Sequence, residues 1–229
     1  MHILLTNDDG VEAPGLEALV AAVRCLPASF VVVAPLLPHS GCGHRVTTDR
    51  PLSVTCLAPD RYAVDGTPAD CVRLGISRLT LGVDLVLSGI NAGGNLGVDV
   101  HHSGTVAAAR EAAMHGHLAV AVSQYHQRGT DIDWTRAAAW LTRVLLLLPL
   151  TKKMPGEFWN INFPATAASP CEPAIVECAI DPSPFALNYL SDAGGWHSVA
   201  NYHQRPRVPG SDVDVCFGGS IALSRGRVL

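Results

Sequence analysis

The sequence has no paired cysteine motif, no long apolar run and no basic stripe, and each absence removes a class of protein. Its seven cysteines, Cys25, Cys42, Cys56, Cys71, Cys171, Cys178 and Cys216, form no CxxC pair. That scatter, with an odd total, fits reduced thiols in the cytoplasm better than a disulfide frame. The most apolar later stretch, Val144 to Leu150, is far short of a membrane span and has Arg143 at its head. The amino terminus lacks the basic flank of a signal peptide. A soluble cytoplasmic protein with no membrane partner is expected. A formal charge of −4 and a pI near 6.2 offer no basic face to a nucleic-acid duplex. Lys and Arg are missing altogether from Met1 to Val23, and no internal repeat or low-complexity tract occurs.

What is present suits one sizeable core: 229 residues, 48% hydrophobic and 16% charged. The organising stretch is His2-Ile3-Leu4-Leu5-Thr6-Asn7-Asp8-Asp9-Gly10, an apolar run of strand length that ends in adjacent carboxylates and a glycine. Ligand sites in open α/β sheets lie at such strand ends. Two ionised carboxylates about 4 Å apart repel by about 4 kcal/mol at an effective dielectric of about 20, so they need a partner. No local Lys or Arg supplies it, and a hard divalent cation with oxygen ligands is the natural candidate. The plainer reading makes Asp8 or Asp9 a helix cap. Pro14 suits the first helical turn, which puts the cap at or just before Ala13 and leaves both acids in the loop.

Leu16, Leu19, Val20 and Val23 then recur at helical spacing, predicting a helix from about Pro14 to Leu26, and Phe30 to Ala34 reads as a buried parallel strand. This is a βαβ unit. The following loop brings Ser40, a possible hydroxyl ligand, to the edge that carries the acids, while His39, His44 and Arg45 could meet an anion or be ordinary loop residues. Leu52 to Leu57 and Arg61 to Val64 predict a hairpin-like pair, and Thr67-Pro68 opens a helix running to about Leu79. Val83 to Ser88 predicts a strand opening into the glycine loop Gly89-Ile90-Asn91-Ala92-Gly93-Gly94-Asn95-Leu96-Gly97. There Asn91 could ligate a metal through its oxygen and Asn95 could donate to a phosphate. Ser103-Gly104-Thr105 starts an alanine-rich helix whose free N–H groups and hydroxyls make an anion site or simply a cap. A strand over Leu118 to Ser123, a helix over Trp134 to Leu148 and a strand over Glu157 to Phe163 complete an α/β core. After Pro164 the composition turns to Pro, Gly and Ser. Short β-like pieces are predicted at Ile175 to Ile180, Val213 to Phe217 and Ser220 to Leu223, the last two joined as a hairpin by Gly218 and Gly219.

Together Asn7-Asp8-Asp9-Gly10, Ser40-Gly41 with Gly43-His44, Asp65-Gly66-Thr67-Pro68-Ala69-Asp70, Ser88-Gly89-Ile90-Asn91 with Gly94-Asn95 and Gly97, and Ser103-Gly104-Thr105-Val106 resemble the SurE family of survival-protein nucleotidases. The likeness covers about the first 165 residues and ends with Asn160-Ile161-Asn162-Phe163-Pro164. It departs from the family pattern at Leu36-Leu37-Pro38-His39 and again between Ile180 and Trp196. The resemblance implies a Rossmann-like three-layer α/β sandwich with a mostly parallel sheet over residues 1–165, and a β-rich extension over 166–229 that serves as an oligomerisation arm for a homodimer or homotetramer. It also implies a phosphatase of nucleoside 5′- and 3′-monophosphates, using one divalent ion per subunit, Mg2+ or Mn2+. On this sequence the metal would be held by Asp8, Asp9, Ser40 and Asn91, and the phosphate by Asn95, Ser103, Gly104 and Thr105.

The resulting expectation is metal-assisted phosphomonoester hydrolysis with Asp8 and Asp9 as the catalytic acids, either of which could activate the water. An aspartyl-phosphate route through Asp8 normally spaces its two acids by one residue, whereas here they are adjacent. A dinucleotide-binding or regulatory domain would need glycines where Asp8 and Asp9 stand.

Overall fold

The computed structural model describes residues 1–127, 129–150, 156–165, 172–185, 187–192 and 194–228. Cys171 and the expected boundary between core and extension lie outside or at the edge of that set. Strand β1 (His2–Thr6) is central: Ile3 and Leu5 face one core, Leu4 the other, and all three are fully buried. A strand buried on both faces reads as a continuous apolar run, and that is how it appears in the sequence. Helix α1 (Pro14–Arg24) starts from Ala13 with no side-chain cap, so neither acid caps it, and β2 (Ser29–Pro35) pairs parallel with β1.

The hairpin β3 (Val54–Ala58) and β4 (Arg61–Val64) joins this edge, β4 parallel to β2. Helix α2 (Pro68–Leu74) opens with a capping box between Thr67 and Asp70. It widens into a π-helical turn over Gly75–Leu79, so the regular helix is shorter than predicted. Strand β5 (Leu85–Ala92) lies on the other side of β1 and runs on into the first half of the stretch predicted as a loop. Helix α3 (Gly104–Met114), strand β6 (Leu118–Gln124), helix α4 (Trp134–Leu147) and strand β7 (Glu157–Phe163) follow in parallel βα order.

Beyond Pro164, β8 (Ile175–Glu177) is β as expected, whereas the hairpin β9 (Tyr189–Asp192) with β10 (Gly195–Ser198) falls where the sequence pattern indicated no strand. The segment Val213 to Phe217 is not. It belongs to helix α5 (Asp212–Phe217), and the predicted Gly218-Gly219 hairpin is a helix-to-strand turn. Asp212 explains the difference: its buried carboxylate accepts N–H groups from Gly97, Asp181 and Val213, contacts that override the alternating pattern. Strand β11 (Ile221–Arg227) returns antiparallel to β7, giving a nine-stranded sheet in the order β3-β4-β2-β1-β5-β6-β7-β11-β8. The fold is therefore an α/β sandwich, with α1 and α4 on one face of a mostly parallel sheet and α2 and α3 on the other.

One buried carboxylate ties the second face together. Glu111 on α3 is 1% exposed and accepts from His44 Nε2 at 2.6 Å, Arg73 Nε at 2.5 Å and His115 Nε2 at 2.9 Å. Burial pushes its carboxyl up, but these three bonds outweigh burial and hold it at about 2. The folded value lies below the ordinary 4.5, so the contribution to stability is complete above that pH and is lost as pH falls toward about 2. Glu111→Gln is expected to cost about 2–3 kcal/mol at pH 7, read from urea midpoints. The gap between variant and parent should narrow at pH 3.

Candidate active site

The carboxyl ends of β1, β2 and β5 and the start of α3 meet at one edge of the sheet. After β1, Asn7 closes the turn by donating Nδ2 to the Gly10 carbonyl at 2.8 Å, which leaves Asp8 and Asp9 at the tip. The loop after β2 is drawn in by the His39 N–H, which donates to the Asp8 carbonyl at 2.7 Å. Thr105 Oγ1 donates to Asp8 Oδ1 at 2.5 Å, and the Ala92 N–H donates to Asp9 Oδ2 at 3.2 Å.

Two glycines permit this approach. Gly89 has φ of +142°, and a Cβ there would stand 2.3 Å from the Val122 carbonyl oxygen of the neighbouring strand. The β5–β6 register shifts between Ser88 and Asn91 at this point, and pairing resumes with Asn91 opposite Ser123. The predicted glycine loop is thus half strand, and its bulge swings Asn91 to the edge. At Gly104 a Cβ would sit 2.8 Å from the Asp8 Cβ, so only glycine lets α3 close on the acid.

The result is a cavity of about 250 Å³ that gathers six of the residues singled out from sequence: Asp8, Asp9, Ser40, Asn91, Asn95 and Ser103. Ser103 accepts the Val106 N–H at 3.0 Å as the cap of α3 and still has its own proton for a ligand, so the two readings of this residue coexist. Gly104 and Thr105 are not among the lining residues, and the fully buried Thr105 gives its hydroxyl to Asp8. These two serve the acid, and what they can offer an anion is backbone N–H alone. His39, His44 and Arg45 do not line the cavity either, His44 being committed to Glu111.

Sequence reasoning passed over two lining residues, Asp99 and His102. Asp99 is held by Arg205 Nη1 and by the Tyr202 hydroxyl, each at 2.7 Å, so the extension reaches the rim. The signal for His102 was its place one residue before the helix start. Asp99 had no local signal, because its partners come from more than a hundred positions along.

The electrostatics point to a cation. Burial pushes the Asp8 carboxyl up to about 6, with the Thr105 hydroxyl opposing and the Asp9 charge adding to the rise; burial also raises Asp9. Among the described residues no Lys or Arg lines the cavity. Asn91 donates Nδ2 to the Gly93 carbonyl at 2.8 Å, and its amide oxygen and the Ser40 hydroxyl have no protein partner among the described residues. Among the described residues no group of three or more His, Cys, Asp or Glu is placed to hold a metal ion by itself. Two carboxylates, a hydroxyl and an amide oxygen form a hard oxygen set that fits Mg2+ or Mn2+ rather than a thiolate- and imidazole-bound metal.

Residues 3–179 match the family model described as survival protein SurE. The chain belongs to the SurE family. It is 49% identical, over the whole of both chains, to a protein of Nostoc sp. named provisionally as a 5′-nucleotidase. To the 5′-nucleotidase SurE of Paramagnetospirillum magneticum it is 37% identical over 98% of this chain and 88% of that one. The crystal structure of the SurE protein from Aquifex aeolicus superposes with a TM-score of 0.85 at 30% identity, covering 100% of this chain and 94% of that chain. The SurE likeness thus extends through the fold as well as the motifs.

A buried acid with a raised pKa costs stability at neutral pH. The folded Asp8 keeps its proton to about 6 and the unfolded one only to about 3.8, so stability falls as pH rises through that window. In chelator at pH 7, Asp8→Asn is expected to melt higher than the parent, by the equivalent of about 1–3 kcal/mol. In thermal melts the difference should shrink as pH is lowered toward 4.

Proposed function

We propose that this chain is a phosphatase of nucleoside monophosphates, releasing nucleoside and inorganic phosphate. The observation that carries the reading is the single cavity uniting Asp8, Asp9, Ser40 and Asn91 with Asn95 and Ser103 at the start of α3. The names of its SurE relatives support the same activity.

In this reading Asp8, Asp9, Ser40 and Asn91 hold one divalent ion per subunit, Mg2+ or Mn2+. When bound, such an ion draws charge from a phosphate oxygen and acidifies a water. Thr105 commits one Asp8 oxygen inside the protein, and the other has no side-chain donor among the described residues. Asn95, the Ser103 hydroxyl and the N–H groups that open α3 bind the phosphate oxygens as charge redistributes. A pyrophosphate-binding domain is disfavoured because Asp8, Asp9 and Asp99 line the same cavity.

The exposed β9–β10 hairpin supports an oligomerisation arm. It forms its own two-stranded sheet and leaves Tyr189, Leu190 and Trp196 at 54%, 64% and 74% exposure. Isolated hairpins with such apolar surface need a partner, and a second copy of the chain is the occupant in a homodimer or homotetramer. Free thiols at the six described cysteines fit the cytoplasm, and no helix among the described residues is long and apolar enough to cross a membrane.

Phosphate release from a panel of 5′- and 3′-nucleotides, with Mg2+, Mn2+ and EDTA in parallel, tests the activity. Asp8→Asn and Asp9→Asn should each lower turnover by on the order of 10²–10³-fold or more, and EDTA should abolish it. Wild-type rates in both variants would overturn the reading. For the arm, Trp196→Asp combined with Leu190→Asp should lower the mass in sedimentation equilibrium, and an unchanged mass would remove it.

A further inference from the structure

Beneath the cavity, three fully buried polar side chains in the middle of the sheet converge on Asn95. The Asn95 N–H donates to Asn162 Oδ1 at 2.8 Å. Its carbonyl oxygen accepts from Asn160 Nδ2 at 2.9 Å and from Asn162 Nδ2 at 3.1 Å. Its side-chain Nδ2 lies 2.8 Å from Ser123 Oγ. Ser123 on β6 and Asn162 on β7 are register partners, and Ser123, Asn160 and Asn162 are each 0% exposed. Burying an amide costs free energy unless it is paired, and among the described residues these two side-chain amides pair only with Asn95. Asn160 even leaves its Oδ1 without a partner. A whole layer of buried polarity thus fixes one loop residue.

The Ser123 hydroxyl adds a direction. With Nδ2 toward it, Ser123 Oγ accepts, and its own proton finds no acceptor among the described residues. An amide turned over about its last torsion has the same shape, and the contact is then made by Ser123 O–H donating to Asn95 Oδ1. The Ser123 proton then has an acceptor, and the Asn95 NH2 faces the cavity. An outward carbonyl would instead add negative potential to a cavity already lined by Asp8, Asp9 and Asp99.

We propose that Ser123 is a positioning residue that sets the Asn95 amide with its N–H groups toward the substrate phosphate, while Asn160 and Asn162 fix the Asn95 backbone. This rests on the nucleotidase reading for its ligand, so the test reads inorganic phosphate binding as well as turnover. Phosphate affinity by calorimetry in Mn2+, Mn2+ affinity, melting temperature and kcat/KM on a nucleoside monophosphate are measured for the parent, Ser123→Ala, Asn95→Ala and the double variant. A lost hydrogen bond of this kind corresponds to about a tenfold effect. Ser123→Ala is expected to weaken phosphate binding and kcat/KM by about that factor, with Mn2+ affinity and melting unchanged. In the Asn95→Ala background it should change neither by more than about twofold, because Ser123 acts through that side chain. Ser123→Cys, of nearly the same shape but a weak donor, should fall between the parent and Ser123→Ala and guards against a folding defect.

An equal loss from Ser123→Ala in both backgrounds, or none in the parent, overturns the proposal. So does wild-type phosphate affinity in Asn95→Ala, an outcome that leaves the nucleotidase reading standing on Asp8 and Asp9. Absence of nucleotide turnover in the parent sinks the nucleotidase reading instead, and phosphate binding still decides the role of Ser123.

Discussion

The hydroxyl of Thr105 on the carboxylate of Asp8 is the contact around which the site is assembled. It joins the end of β1 to the start of α3 in a region where both partners are withdrawn from water. Burial makes both acids resist ionisation, and the Asp9 charge adds to the rise at Asp8. The site is therefore held in a destabilised charge state that a cation relieves. Gly104 belongs to the same constraint, since any side chain there would push α3 off Asp8.

Parallel strand topology does the gathering. Each strand of a βα unit delivers its following loop to the same edge, so the acids after β1, Ser40 after β2 and Asn91 at the end of β5 come together without any long-range recognition. The glycine-rich stretch differs. It is held from below by the amides of β7 and from the side by the extension, through Asp212 on Gly97 and Arg205 on the Leu96 carbonyl and Asp99. The acid pair is placed by the sheet, whereas the Asn95 side of the cavity is placed by buried polar contacts.

That division explains what could be read in advance. The apolar run of β1, the proline at the start of α1 and the cap at Ser103 are local signals, and they located the acids, the first helix and the start of α3. Strand order already brought Ser40 to the edge of the acids and marked Asn91 and Asn95 as possible ligands, and the family resemblance joined them into one set. What local pattern hid was decided by distant partners. Val213 to Phe217 alternates like a strand but folds as a helix because Asp212 caps backbone from Gly97 and Asp181. Thr105 reads as an anion donor, yet its side chain is turned to Asp8. Asp99 reads as nothing until Arg205 and Tyr202 arrive beside it.

The antiparallel return of β11 has a consequence for synthesis. It flanks β7, the strand that carries Asn160 and Asn162, and Ser224 Oγ donates to the Asn160 carbonyl at 3.2 Å. A nascent chain can pair β1, β2, β5 and β6 while its later residues are still on the ribosome, but β7 then has an open edge. The acidic half of the pocket matures early in translation. The side that holds Asn95 waits for β7 and for the strand that covers its edge, so a partly made chain holds a charged cleft before that loop is fixed.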